Sequence, residues 1–116
     1  MASDIGYQGF TAKTAAYTVT AAENGTTFTN RGASAAITFT LPAPFANAHY
    51  RFFSITAYAI TVAADVADTL IGYNDVDLDS IAGPATTAGV MIEVISDGTS
   101  WLAINPTVGA TYTLND

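Results

Sequence analysis

Apolar and polar positions alternate with a period of two through much of this chain. In "AAITFTL" the residues Ile37, Phe39 and Leu41 share one face, and Thr38 and Thr40 take the other. "YAITVA" groups Tyr58, Ile60 and Val62, and "GVMIEVIS" sets Val90, Ile92 and Val94 opposite Met91, Glu93 and Ile95. β-Branched and aromatic residues in this rhythm predict strands. The alanines around 11–23 suit a helix, but Thr11, Thr14, Thr18, Thr20 and the following Gly25 oppose one.

Turn signals punctuate the runs. Asn24-Gly25 separates "YTVTAA" from "TTFTN", and Asp97-Gly98 separates "GVMIEVIS" from "TSWLAIN". Asp97-Gly98 is the stronger hairpin signal, because two central residues with positive φ favour Asn or Asp followed by Gly. Pro42 and Pro44 end the strand that closes in Leu41. Eight or nine short strands follow from this reading. The expected fold is all-β: a single-domain antiparallel β-sandwich or small barrel over residues 17–116, preceded by an extended N-terminal arm over residues 1–16.

Two segments echo each other, "TVTAAENGTTFTN" (18–30) and "TVAADVADTLIGYN" (61–74), as a duplicated hairpin would. Tyr50, Phe52, Phe53 and Tyr58 fall on both faces of neighbouring strands, which predicts burial by a second sheet on one side and by another subunit on the other. The arm carries three isolated large apolar residues, Ile5, Tyr7 and Phe10. They dock either on their own domain or on a neighbouring chain.

Charge narrows the partners. Only 11% of the 116 residues are charged, about half of the ~25% of an average domain. That leaves either a threonine-coated surface or one that meets other protein. The net charge is −7, with Lys13, Arg31 and Arg51 as the sole Lys and Arg side chains. Three scattered cations do not supply the phosphate-neutralising face that nucleic-acid binding needs, nor a basic membrane-surface helix. No stretch has the ~20 continuous apolar residues of a membrane-spanning helix, and "MASDIGYQGF" lacks the features of a secretory signal, so synthesis in a cytoplasm is expected.

Few side chains of this sequence suit catalysis or metal binding. There is no cysteine, and His49 is the one histidine, so a soft-metal site lacks ligands. No G-x-S-x-G motif accompanies His49, and a structural or surface role is expected for it. "GFTAKT" has Ala12 and Tyr7 where a phosphate-binding loop needs glycines, and Asn24-Gly25-Thr26 reads as a turn rather than a glycosylation site. Glu23 and Glu93, the two glutamates, have no cleft signature around them, and Glu93 reads as exposed. Asp75, Asp77 and Asp79 alternate in "NDVDLDS" and would share one strand face, as a solvated acidic edge or a Ca²⁺ site. An EF-hand frame fails, with Ser80 at position six and Thr86 at position twelve. Trp101 fits a core or interface aromatic better than a sugar-stacking platform. No catalytic residue, cofactor or metal is assigned, and an enzyme ranks last.

"YTVTAAENGTTFTNRGASAAITFTLP", then "ITVAADVADTLIG" and "VMIEVISDGTSWLAI", resembles a small β-domain that recurs in tailed-phage virion proteins. The shared pattern is a strand leading to an acid, a Gly-Thr turn and an Asn, then a Thr-rich strand closing in Leu-Pro, and a late Ser-Asp-Gly-Thr-x-Trp. It covers roughly residues 17–105. The resemblance implies a capsid decoration (cement) protein, made in the host cytoplasm. It would sit on the outer capsid surface against the major capsid protein, as a homo-oligomer, often a trimer. A length of 116 residues without a repetitive shaft favours decoration over a fibre. Under that implication Ile5, Tyr7 and Phe10 are the anchors to the shell. The alternative is a receptor- or glycan-binding tip of a head or tail fibre, using Trp101, the tyrosines and the Asp75–Asp79 loop. An unrelated structural β-domain of a bacterial surface assembly is a third reading.

Overall fold

Alternating strands bury one face each, so the chain must stack them in layers, and it does so in two. The computed structural model describes residues 9–67, 69–104 and 107–116. Its strands are β1 (Gly9–Ala12), β2 (Tyr17–Thr18), β3 (Thr26–Thr29), β4 (Ile37–Thr40), β5 (His49–Phe53) and β6 (Ile60–Ala63), followed by β7 (Leu70–Gly72), β8 (Asp75–Leu78), β9 (Ser80–Ala82), β10 (Met91–Ser96), β11 (Trp101–Ile104) and β12 (Thr113–Asn115). One 3-10 turn, Ala21–Glu23, lies between β2 and β3. The large sheet runs β1-β3-β5-β10-β11-β7-β8 and the small sheet β12-β9-β6-β4-β2.

The all-β reading holds, but the sheets are mixed rather than antiparallel. The parallel pairs are β1–β3, β3–β5 and β11–β7 in the large sheet and β2–β4 and β4–β6 in the small one. The cause is the route of the chain. From β1 to β7 each strand is followed by one in the other layer, so the chain re-enters each sheet in the same direction. A hairpin cannot make that connection; a crossing must.

Asn24-Gly25 is such a crossing and not the hairpin expected from sequence. The Asn24 Oδ1 accepts from the His49 amide at 2.8 Å and the Gly25 amide donates to the His49 carbonyl at 2.9 Å, which pins the turn to the start of β5. The echo between residues 18–30 and 61–74 has the same basis. β2 leads to β3, and β6 to β7, each from the small sheet to the large. Both echoes are crossings, not a duplicated hairpin.

Asp97-Gly98 does mark the β10–β11 hairpin, with a longer loop than a two-residue turn. Ser96 pairs with Trp101 across it. The Asp97 Oδ1 accepts from the amides of Thr99 and Ser100, both at 2.9 Å, and Gly98 supplies the positive φ of 97°. The tight two-residue turn joins β7 to β8 instead, where Tyr73 (φ 53°) and Asn74 (φ 66°) are both left-handed. Tyrosine is no turn residue by chemistry, so nothing in the local sequence marks this turn.

Between the layers lies an aromatic core. Phe28, Phe39 and Phe52 have ring centroids 5.0 to 5.7 Å apart, and all three are fully buried. Each such ring contributes about 1.5–3 kcal/mol on removal from water. Trp101 is also fully buried, against Tyr50 at 5.7 Å and edge-on to Phe45 at 6.4 Å. Two interior hydroxyls show how polar groups there are matched. The Tyr50 hydroxyl donates to the Thr20 carbonyl at 2.9 Å, and the Ser54 hydroxyl accepts from the Val90 amide at 2.9 Å.

The sheet begins inside the expected arm. β1 pairs in register with β3 from Gly9↔Thr26 to Ala12↔Thr29, so residues 9–12 belong to the large sheet. Ile5 and Tyr7 lie outside the described residues.

Candidate functional site

Strand alternation gives the large sheet an inner face, which is core, and an outer face, which the small sheet does not cover. Phe52, Ile92 and Val94 point inward and are buried. Their neighbours Arg51, Phe53, Met91, Glu93 and Ile95 therefore point outward. Cross-strand register extends that row to Thr27 and Phe10 on one side and to Leu102 and Ile104 on the other. The result is an outward surface made largely of apolar side chains.

At its centre sits the Arg51–Glu93 pair, on directly opposed positions of β5 and β10, with Nε to Oε2 at 3.9 Å. Glu93 is only 5% exposed, which corrects the expectation that it faces solvent. Alternation does place Glu93 on the outer face; its burial comes from its neighbours. Arg51 and Ile104 flank Glu93 on both sides and the long side chains close over it.

Phe10 is 80% exposed on edge strand β1. Beside it is a hollow of about 280 Å³ lined by Phe10, Thr27, Arg51, Phe53 and Met91. This hollow joins the predicted anchor Phe10 to the outward face, a link the sequence hid because it depends on parallel β1–β3 pairing. A second cleft, of about 360 Å³, lies between residues 84–90 and 107–111 and is lined by small side chains and backbone. Its Thr107 hydroxyl is committed to the Met91 amide at 2.8 Å, and Tyr112 donates to the Met91 carbonyl at 2.7 Å.

The acidic run divides. Asp75 and Asp77 stay together on β8, but Asp79 lies beyond the strand, where its amide donates to the Asn115 carbonyl at 2.7 Å and its carbonyl accepts from Ala64. The third carboxylate beside Asp75 and Asp77 is Asp116, with oxygens of all three within 4.8 Å. Pairing of β12 with β9 returns the chain end to this corner, which local sequence does not show. Hydrogen bonding from the Asp77 carboxyl and then its amide, with lesser help from Asp116 and Val76, holds the Asp75 carboxyl below its usual range against slight desolvation.

Glu23 closes the 3-10 turn onto Thr20, accepting from its amide at 2.9 Å, and accepts from the Tyr17 hydroxyl at 2.7 Å. Lys13 rests 3.8 Å over the Tyr17 ring. His49 is half-buried at the start of β5, where its backbone holds the Asn24-Gly25 turn. Trp101 is the core aromatic expected of it, and its indole is turned inward, away from any sugar. The chain matches no protein-family model and no curated protein.

Proposed function

We propose that this chain is a non-enzymatic structural protein of a tailed-phage virion, which decorates and stabilises the outer capsid surface as a homo-oligomer seated on the major capsid protein. The observation that carries the reading is the outward face of the large sheet. It is a broad apolar surface whose only Lys, Arg, Asp or Glu side chains near the centre, among the described residues, are Arg51 and Glu93, in a chain of net charge −7. Contiguous apolar surface of this kind is what protein contacts cover.

The resemblance of the strand-and-turn pattern supplies the habitat, and Phe10, with Ile5 and Tyr7 before it, supplies the anchors. The polar signature residues fit the same role. Glu23, Asn24, Asn30 and Asp97 all close loops, which makes a stiff part with few mobile connections. A fibre-tip reading loses its stacking residue, since Trp101 is fully buried.

The test is quantitative mass spectrometry of purified source particles, comparing copies of this protein with the major shell protein. A ratio near a simple fraction is expected. A handful of copies per particle moves the protein to a fibre or tip, and its absence ends the virion reading.

A further inference from the structure

The two edges of the large sheet differ in charge. β1 and β8 are its outermost strands, and neither has a further strand beyond it among the described residues. Six inter-strand gaps separate them, about 29 Å. That spans most of a molecule 34 × 33 × 25 Å in extent. Each edge carries a conspicuously exposed apolar side chain, Phe10 on β1 at 80% and Val76 on β8 at 71%.

Charge is divided between the same two edges. Lys13 follows β1 directly, and its amide donates to the Thr29 carbonyl of β3. Arg31 stands two residues beyond the end of β3, and the adjacent Gly32 lies against the Thr14 methyl. Two of the three Lys and Arg residues thus follow the ends of β1 and its neighbour β3, the Lys13 ammonium resting over the Tyr17 ring with Glu23 the carboxylate nearby. The β8 edge carries Asp75, Asp77 and Asp116.

The strand directions set β8 antiparallel to β1. β1, β3 and β5 are parallel, β10 reverses, β11 reverses again, β7 follows β11, and β8 opposes β7. β8 therefore runs opposite to β1, and the register carried through β3, β5, β10, β11 and β7 sets Asp75 level with Gly9, about four residues or ~13 Å along the strands from Lys13.

We propose that copies of this chain join head to tail through these edges, with β8 of one copy beside β1 of the next, antiparallel and displaced by about four residues along the strands. That arrangement sets Asp75 and Asp77 against Lys13 and Arg31 of the neighbour and covers Phe10 and Val76. The alternatives are disfavoured by the same charges. Two β8 edges would oppose carboxylates, and two β1 edges would oppose cations. Only the directional contact pairs opposite signs. A directional contact closes into a ring when the rotation allows, as a trimer would. This rests on the homo-oligomer reading above and assigns Phe10 to the neighbouring copy, leaving Ile5 and Tyr7 for the shell.

Sedimentation velocity of the whole chain at low salt tests it, with circular dichroism and thermal melts confirming that each variant folds. The variants are Lys13→Glu with Arg31→Glu, Asp75→Lys with Asp77→Lys, and all four together. Each reversed edge alone should weaken association at least tenfold, and the four-fold swap should restore it, because the signs match again. If the Lys13 change unfolds the protein, Arg31→Glu alone, crossed with Asp75→Lys, carries the same comparison. A wild-type chain that is monomeric at high concentration overturns the proposal, as does association that survives both reversals. The virion reading fails separately. An oligomer that is absent from particles ends that reading and keeps the edge contact, whereas a monomer in stoichiometric amounts on particles does the reverse.

Discussion

The Trp101 indole Nε1 donates to the Pro42 carbonyl at 2.9 Å, tying the hairpin that follows β10 to the end of the β4 strand 59 residues earlier. Pro42 has no amide and ends the β4 ladder, so its carbonyl is available to a partner from the other layer. Trp101 reaches it from a fully buried position in the large sheet. The Leu-Pro and the Trp of the sequence pattern are thus two halves of one contact between the sheets.

Trp101→Phe should keep the ring contact with Tyr50 and lose the hydrogen bond, leaving a poorly solvated carbonyl. We expect a loss of about 1–3 kcal/mol in urea unfolding. Trp101→Ala should cost more, about 3–5 kcal/mol, through the added cavity. Equal losses for the two would show that the hydrogen bond contributes nothing.

Asn30 is fully buried and holds the segment after β5 mainly with its side chain, its carbonyl adding a contact from the Thr56 hydroxyl at 3.4 Å. Its Oδ1 accepts from the amides of Ile55 at 2.7 Å and Thr56 at 3.0 Å, and its Nδ2 donates to the Tyr58 carbonyl at 3.2 Å. Asn30→Ala strands these backbone groups and should cost about 3–5 kcal/mol, beyond the ordinary range for a point change. Hydrogen exchange should locate the damage at Ile55 and Thr56. Unchanged protection of those two amides would refute the clamp.

How much of this was legible in the sequence depends on range. The strand rhythm of Ile37, Phe39 and Leu41, or of Ile92 and Val94, is set by each strand's own burial, and it reads directly. Parallel pairing does not, because it follows from which layer the chain enters next, and Asn24-Gly25 looks the same in a hairpin as in a crossing. Glu93 shows the matching limit for burial. Alternation gives the face, while exposure depends on Arg51 and Ile104 on two other strands. Asp116 joined Asp75 and Asp77 by the same kind of long-range pairing, and Tyr73-Asn74 turned tightly without a turn-forming first residue.

Glu23 makes stability fall in acid. Burial alone would raise its pKa, but hydrogen bonds from the Tyr17 hydroxyl and from Thr20, with Lys13 nearby, outweigh burial and hold it lower. A depressed folded pKa contributes stability that is present above the unfolded value and lost as pH falls through the folded one. Unfolding free energy should therefore be level down to about pH 5 and decline below it. Asp97, held low by the amides of Ser100 and Thr99, works in the same direction. Glu23→Gln should flatten part of the decline, and a slope unchanged by that substitution would remove Glu23 as a source.

Gly72 sits where β7 meets β11, and a Cβ there would lie 2.9 Å from the Ala103 Cβ. Both atoms belong to strand positions with no long side chain to swing aside. Gly72→Ala should cost about 1–3 kcal/mol by overpacking. Ala103→Gly in the same chain should recover part of it, which a loss arising elsewhere would not show.

The Arg51–Glu93 pair is unequal in its surroundings, and so are the expected losses. The Arg51 side chain is 33% exposed and the Glu93 side chain 7%. Removing Glu93 leaves a guanidinium that water still reaches, whereas Arg51→Ala takes away the charge partner and one of the two covers, leaving a carboxylate still partly shielded beside Ile104. Arg51→Ala should therefore cost about 2–4 kcal/mol and Glu93→Ala about half as much. Arg51→Met with Glu93→Leu replaces both charges with matching apolar volume. It should return stability to within about 1 kcal/mol of the parent, since desolvating two charges offsets most of their attraction. Urea unfolding of the three variants decides it. A double variant as unstable as Arg51→Ala would mean that the pair contributes net stability beyond its own desolvation.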